Sequence, residues 1–304
     1  MTPAPQRRGT LLGWGSILFW SCTVALVRHA TEQAGPLVVG TINFTAGGLL
    51  LFFATWINQG AGWWRRLSAP HMAICGPLFV TYMVALYFGL ALADSRPQAV
   101  LVGLINYLWP TVLLVSSIPL LRRRARGRLL GGGIVLSLAG IVLAVSTQLA
   151  GLGALVDPIL ENPPALGAAL AAALSWGLYS ALARRFPQRA APGEVAVLLL
   201  VTGLALLGPS LPAWHGAAWS GRAAVELAFL TVFPTTLAYS FWGVAMRDGD
   251  VALLGAASNW IPVLSTALAV AYLGISFSWG LIGGAVLVAV GTVLSRRAFP
   301  DSGG

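Results

Sequence analysis

Long uncharged stretches recur along the whole chain and are separated by short charged segments. The stretches cover residues 9–27, 33–64, 67–93, 97–121, 129–156, 162–183, 195–221, 227–246 and 251–295. A helix needs about 20 apolar residues to cross the roughly 30 Å hydrocarbon core of a bilayer, so most stretches suffice for one crossing. The last stretch has 45 residues and divides naturally into two at 274–278. The pattern predicts an all-α polytopic membrane protein with ten transmembrane helices, called spans 1 to 10 below.

Composition and charge agree with this fold class and predict its orientation. The chain is 57% hydrophobic and only 9% charged, and all 18 basic residues are arginine. With ten spans and a cytoplasmic N-terminus, 15 arginines fall in inner segments and three, Arg28, Arg96 and Arg222, in outer ones. Because cytoplasmic loops carry the excess of arginine and lysine, both termini are predicted to be cytoplasmic. We interpret the arginine-rich segment 122–128 as a signal for membrane topology that also contacts the lipid bilayer. No nucleic-acid partner is predicted, since no soluble domain carries the segment.

The two halves of the chain resemble each other. Tyr87, Gly103 and Pro110 recur 152 residues later as Tyr239, Gly255 and Pro262, and a second register of 156 residues relates Trp20 to Trp176. The first repeat is predicted at residues 1–150 and the second at 151–304. Because each repeat holds five spans, the second enters the membrane from the opposite side. Two inverted five-helix repeats are typical of secondary transporters, whose substrate site lies where the repeats meet.

Aromatic and amide side chains occur near the middle of several spans, where only hydrocarbon is expected. The segment NYLWP (106–110) lies inside the uncharged stretch 97–121, and Trp20 and Trp176 lie at the centres of spans 1 and 6. Indole N–H and phenol O–H groups need partners away from water. A stripe of aromatic side chains on a single helix indicates packing. Aromatic side chains that converge from four helices at one depth favour a pocket. The expected substrate-binding residues are Tyr82, Met83, Asn106, Tyr107, Trp109, Trp176, Tyr179, Tyr239, Ser258 and Asn259.

Two intramembrane prolines, Pro110 and Pro262, occupy equivalent positions in spans 4 and 9. Each removes a backbone hydrogen bond and predicts a kink, either static or serving as a hinge of transport. Spans 5 and 10 instead carry glycines that allow close helix packing, at positions 131–133 and at 280, 283 and 284. We therefore expect these two spans to lie away from the pore.

Chemical motifs are absent from the spans. No carboxylate or arginine lies near a span centre, and the sequence has no metal-ligand cluster, phosphate loop or nucleophile motif. The prediction is therefore a protein that is not an enzyme and has no metal or cofactor. A neutral, aromatic-lined pocket suits a small zwitterion with an apolar ring and disfavours strongly anionic substrates. A broad-specificity exporter of hydrophobic drugs and a passive small-solute channel both remain open, as does the oligomeric state.

The whole chain resembles the drug/metabolite transporter superfamily, in its EamA-like branch. The resemblance rests on ten spans in about 300 residues, the five-plus-five repeat, the arginine-bearing inner loops, and NYLWP preceded by residues 87–105. It implies export of aromatic amino acids and related compounds by alternating access across a bacterial inner membrane. It also implies that Tyr82, Tyr107, Trp109 and Trp176 line the cavity. Where the family can carry a histidine beside the span 3 tyrosine, this chain has Met83.

Overall fold

The computed structural model describes residues 4–146, 162–187, 193–273 and 279–299, and these ranges contain helices, turns and no strand. The α-helices are α1 (Ala4–Ser21), α2 (Thr23–Ala34), α3 (Pro36–Gln59), α4 (Gly76–Leu92), α5 (Arg96–Asn106), α6 (Trp109–Leu120), α7 (Gly127–Ser146), α8 (Pro163–Arg185), α9 (Gly193–Ser210), α10 (Gly221–Leu230), α11 (Ala238–Asp248), α12 (Val251–Ala257), α13 (Trp260–Leu273) and α14 (Trp279–Ala298). Two π-helical segments, His71–Cys75 and Thr231–Leu237, lead into α4 and α11. The predicted all-helical class is confirmed.

Eight helical segments among the described residues are long and apolar enough to cross a bilayer. They are Pro36–Gln59, His71–Leu92, Gln98–Leu120, Gly127–Ala144, Pro163–Arg185, Gly193–Gly216, Gly221–Asp248 and Trp279–Ala298. The predicted first span is divided into α1 and α2 at Cys22, and the ninth contains only the shorter apolar segment Val251–Ser265. The predicted division at 274–278 lies outside the described residues. A polytopic membrane fold is therefore shown, and the count of ten stays a prediction.

The halves are joined by helix pairs that cross between them. α7 packs along α14, and α3 along α9. α4 of the first half packs along α8 of the second, and α11 of the second packs in the same way along α1 of the first. α11 is the counterpart of α4 in the second half, and α8 is the counterpart of α1. The α1–α11 pair is therefore the repeat equivalent of the α4–α8 pair. This reciprocity is expected of two repeats related by a pseudo-twofold axis.

Equivalent polar contacts join the halves at opposite ends of the bundle. Asn162, which precedes α8, donates through Nδ2 to Gln98 Oε1 at 3.1 Å. The Asp250 backbone N–H donates to Thr10 Oγ1 in α1, also at 3.1 Å. Thr10 and Asn162, like Gln98 and Asp250, are 152 residues apart. Inverted repeats explain why the second contact mirrors the first, although the predicted boundary at 150/151 lies outside the described residues and stays a prediction.

Helices α7 and α14 approach each other closely at glycines. A Cβ on Gly140 would lie 2.6 Å from the Gly284 carbonyl oxygen, and one on Gly291 would lie 2.6 Å from that of Gly133. The expected glycine packing is confirmed for Gly133 and Gly284. It is wrong for positions 131 and 132, where an added Cβ would meet nothing within 4 Å. One helix face cannot hold three consecutive residues, so only one of the run 131–133 points at the partner.

Candidate functional site

Eight aromatic side chains meet where the α4–α8 and α1–α11 pairs approach each other. This group, called the aromatic cluster, consists of Trp20, Phe79, Tyr82, Trp109, Trp176, Tyr179, Tyr239 and Trp242. It draws on five helices: α1, α4, α6, α8 and α11. Both halves of the protein contribute to it. The cluster therefore lies where inverted-repeat transporters place their substrate site.

Trp176 is the centre of the aromatic cluster. Its ring stacks on Tyr179, with centroids 4.9 Å apart and planes inclined by 20°, and lies 4.7 Å from Tyr82. Trp20, its counterpart in the repeat, contacts it edge-on at 5.6 Å. Four further rings have centroids 5.5 to 6.5 Å away: Phe79, Trp109, Tyr239 and Trp242. These offset and edge-on arrangements are the favourable ones for aromatic pairs, so the rings form a dense and specific assembly.

Two indole N–H groups of the cluster are satisfied by partners in the helix cores. Trp20 Nε1 donates to the Pro234 carbonyl at 3.0 Å, and Trp242 Nε1 donates to Ser180 Oγ at 3.0 Å. Pro234 lies inside the π-helical segment Thr231–Leu237. The irregular backbone there supplies a carbonyl that a regular helix would use internally. The first bond joins the halves, and the second fixes α11 against α8.

Five of the ten predicted site residues lie in one continuous core: Tyr82, Met83, Trp109, Trp176 and Tyr179. Tyr239 packs against this core. The Tyr239 hydroxyl reaches Met83 Sδ at 3.4 Å, which joins α11 to α4. Tyr107 packs at the edge of this core and also against a neighbouring core around Val263. Asn106 lies within interaction range of the Tyr82 hydroxyl. The structure therefore brings eight of the ten together, while their role in substrate binding stays a prediction.

Both proline kinks are present as helix interruptions. α5 ends at Asn106 and α6 begins at Trp109, so Pro110 is the second residue after a two-residue break. α12 ends at 257 and α13 begins at 260, so Pro262 is the third residue after an equivalent break. Proline favours the first turn of a helix because its missing N–H is not needed there. The structure supports two articulated helices, and the hinge role of the prolines stays a prediction.

A buried amide lies at each break. Asn106 and Asn259 are 8% and 2% exposed, and the Oδ1 atom of each has no hydrogen-bond partner within the described part of the chain. Ser258, beside Asn259, instead donates its hydroxyl to the Leu254 carbonyl of its own helix at 2.7 Å. A buried acceptor without a donor is costly, so each amide oxygen is a place for a ligand N–H or O–H group or for water. Ser258 has less to offer, since its proton is engaged.

Trp242 was not among the predicted site residues. Its repeat counterpart, 152 positions earlier, is Leu90, so the internal symmetry gave no signal. Tyr239, Trp242 and Met246 follow the spacing i, i+3 and i+7, which places them on one helix face and is the pattern that would have revealed it. Trp242 is fully buried and lies 5.6 Å from Trp109. It belongs to the wall of the cluster as much as the predicted residues do.

One end of the bundle holds a network of arginines, called the arginine-rich end. Arg184 in the last turn of α8 donates through Nη1 to the Met246 carbonyl at 3.3 Å, and Arg296 pairs with Asp250 at 3.0 Å. Burial lowers the pKa of the Arg123 guanidinium, and the nearby Asp250 carboxylate opposes that change. These contacts join α8 to α11, and α14 to Asp250 at the start of α12.

The described residues form eight apolar helical segments of span length, and the two halves pair reciprocally around a neutral cluster. This combination defines a polytopic membrane transporter. The chain belongs to the EamA-like transporter family, part of the drug/metabolite transporter superfamily. Residues 7–146 and 163–297 each match this family, so the described helices comprise two copies of the family unit.

Similar proteins have been named as amino acid exporters. The aromatic amino acid exporter YddG of Salmonella typhimurium (strain 14028s / SGSC 2262) is 28% identical over 291 residues, covering 95% of this chain and 97% of that protein. YddG of Ancylobacter novellus is 30% identical over 305 residues, covering 96% and 99%. A probable terminal-alkyne amino-acid exporter of Streptantibioticus cattleyicolor is 22% identical over 286 residues, covering 93% and 91%. A crystal structure 29% identical in sequence superposes with a TM-score of 0.80, covering 96% of this chain and 99% of the other.

Proposed function

We propose that this protein exports aromatic amino acids and related small amphipathic metabolites by alternating access, and that the aromatic cluster is its substrate site. The observation that carries the proposal is the assembly of eight neutral rings from both repeats between the two crossing helix pairs. The names of the YddG relatives support the substrate class. Strongly anionic substrates are disfavoured because every side chain of the cluster is uncharged.

The neighbouring groups suit the parts of a zwitterion with an aromatic ring. The substrate ring would stack against Trp176 and Tyr82, as Tyr179 stacks on Trp176 now at 4.9 Å. Its ammonium group would donate to the unsatisfied Asn106 Oδ1 and lie over the ring faces, which attract cations. Tyr239 and the indole of Trp109 would supply donors for the carboxylate. The remaining proposed contacts are those of Met83, Tyr107, Tyr179, Ser258 and Asn259.

A conformational change is required before a substrate can enter. Trp109, Trp176 and Tyr82 are 3%, 1% and 8% exposed, so their rings contact one another more than they contact open space. Separating α4–α8 from α1–α11 would open the cluster. The helix breaks before Pro110 and Pro262 are where we propose that this motion is absorbed, because their backbone hydrogen bonds are already interrupted.

We further propose that the arginine-rich end faces the cytoplasm of a bacterial cell and that the bilayer is the inner membrane. Arg184 and Arg296 belong to the 15 arginines that the ten-span topology places inside, against three outside. Such a bias sets orientation during insertion. Both termini would then be cytoplasmic. Export follows when the internal amino acid concentration exceeds the external one, without any coupled ion.

Counterflow in proteoliposomes tests this function. Liposomes preloaded with unlabelled phenylalanine should accumulate labelled phenylalanine from outside, and tyrosine and tryptophan should compete. A channel would equilibrate the labelled phenylalanine and would not accumulate it above the level in control liposomes that contain no unlabelled phenylalanine. A drug exporter would show competition by uncharged aromatic compounds and none by amino acids. Either result would replace the proposed function.

A further inference from the structure

The arginine-rich end carries a surface of exposed positive charge, called the basic surface. Its members are exposed arginines of the α6–α7 linker, the first turn of α7 and the last turn of α14: Arg122, Arg124, Arg126, Arg128 and Arg297. Among the residues that the structure describes, none of the five forms an ion pair with a carboxylate. The acidic residues of this end, Asp248 and Asp250, pair with Arg247 and Arg296 instead. The basic surface therefore favours an anionic partner from outside the chain.

The tertiary structure gathers these arginines from both halves of the protein. The Arg126 backbone N–H donates to the Ala298 carbonyl at the end of α14, at 2.9 Å. Leu130 of α7 and Phe299 after α14 belong to one hydrophobic core directly beneath this contact. The hydrogen bond and the shared core hold Arg297 beside the arginines of the linker. The basic surface is thus a fixed part of the fold and not a run of charge along one loop.

Arg122 takes a backbone conformation that arginine rarely adopts. Its φ is 51°, in the left-handed region. The Arg123 N–H donates to the Ile118 carbonyl at 3.0 Å, which is the hydrogen bond of a Schellman motif at the end of α6. Glycine is usual at this position, because a Cβ atom clashes with the backbone there. Strained positions of this kind cluster at functional sites, so the conformation indicates a role for the Arg122 side chain outside the fold itself.

Next to the basic surface, α7 presents bare backbone to the bilayer. Gly131 and Gly132 lie three and four residues after Arg128, which places all three on one helix face. Both glycines are exposed, and a Cβ atom added to either would meet nothing within 4 Å. Further from the arginines, Val135 of α7 and Val293 of α14 are 66% and 49% exposed. A shallow apolar depression therefore begins one helical turn from the charges and continues along the membrane-facing surface.

We propose that the basic surface and this depression together bind an anionic phospholipid such as phosphatidylglycerol. Guanidinium groups donate paired hydrogen bonds to phosphate oxygens, and anionic headgroups at a bilayer surface attract clustered arginines. One acyl chain lies over Gly131 and Gly132, where no side chain blocks it. A lipid fits both parts of the site at once, whereas a soluble phosphate uses only the charges. The proposal does not depend on the transported substrate or on the direction of transport.

Lipid binding by the purified full chain in detergent tests the site directly. Native mass spectrometry measures bound phosphatidylglycerol and, in parallel, phosphatidylcholine with the same acyl chains, whose headgroup has no net charge. We expect the wild type to bind phosphatidylglycerol several-fold more tightly, and only this lipid to raise the midpoint of thermal unfolding. Equal binding of the two lipids overturns the proposal.

Variants with equal loss of charge separate this site from general attraction to the membrane. Arg124→Gln combined with Arg128→Gln should weaken phosphatidylglycerol binding by about tenfold or more, since one arginine at a bilayer surface contributes about fivefold. The control combines Arg65→Gln with Arg66→Gln, which removes two exposed arginines from another segment. Equal weakening in the control overturns the proposal. If the first variant does not fold, Arg297→Gln decides, with an expected loss of about fivefold.

Gly132→Leu tests the part of the site that receives the acyl chain. It keeps every charge and fills the depression, so it should weaken phosphatidylglycerol binding several-fold while the lipid-free protein unfolds at an unchanged temperature. Glycerol phosphate, which has the charge of the headgroup and no acyl chain, should compete far more weakly than the lipid. Unchanged binding by Gly132→Leu, or equal competition by glycerol phosphate, assigns the surface to free phosphate groups and overturns the lipid site.

Arg122→Gly should affect the fold and the binding of lipid differently. Glycine relieves the left-handed conformation, so the unfolding midpoint of the lipid-free protein should not fall. Loss of the guanidinium group should weaken phosphatidylglycerol binding by about fivefold. Wild-type affinity in this variant contradicts the assignment of Arg122 to the site.

Discussion

Replacing Trp176 with alanine tests whether its indole binds the substrate or only packs in the protein interior. The residue is 1% exposed and stacks against Tyr179 and Tyr82 at 4.9 and 4.7 Å. Truncating a buried tryptophan costs about 3–5 kcal/mol of stability. Each aromatic pair contributes about 0.5–1.5 kcal/mol beyond its area. If a substrate ring stacks on Trp176 in the same way, losing one such contact weakens binding by roughly two- to thirteenfold.

Trp63→Ala is the matched control, because Trp63 is also buried, at 3% exposed, but packs against Phe52 and Gly193 outside the cluster. Both variants should lower the midpoint of thermal unfolding of the purified protein by similar amounts. Counterflow is then measured for tryptophan and for alanine, per folded molecule. We expect only Trp176→Ala to lower the ratio of tryptophan to alanine transport, by several-fold. An unchanged ratio in Trp176→Ala, or an equal change in Trp63→Ala, would refute a role of the cluster in ring recognition.

Three further outcomes are expected. Asn106→Leu should raise the KM for phenylalanine several-fold, because the substrate ammonium uses the unsatisfied Asn106 Oδ1. Competition by a phenylalanine analogue that lacks the amino group should stay unchanged, and equal effects on phenylalanine and on this analogue would exclude the contact. Gly140→Ala should destabilise the fold by about 1–3 kcal/mol in thermal unfolding through overlap with the Gly284 carbonyl, whereas Gly132→Ala, whose added Cβ meets nothing within 4 Å, should not. A pH dye trapped in liposomes should record no proton movement stoichiometric with phenylalanine flux, because every side chain of the aromatic cluster is uncharged; a fixed stoichiometry would contradict uncoupled export.

The sequence by itself determined the features that depend on local composition and on periodicity. Uncharged stretches of span length can be stable only in a bilayer, so the membrane class and most spans followed from residue order. The recurrence of Pro110 as Pro262 revealed the repeat, and each proline acts on its own helix, so both interruptions were predictable. The mid-span positions of Tyr82 and Trp176 also followed from residue order, and both side chains belong to the aromatic cluster.

Only the tertiary structure decided which side chains meet. Helices cross at angles and offsets set by side-chain packing between them, and hydropathy along one helix does not contain that information. Trp242 was therefore missed, although it lies 5.6 Å from Trp109. The same limit applies to the buried residues His71 and Glu194, which are 123 positions apart in the sequence although His71 Nε2 lies 3.9 Å from Glu194 Oε2. Their pairing arises because the segment before α4 and the first turn of α9 are brought together in the bundle, and no pattern within either segment encodes that contact.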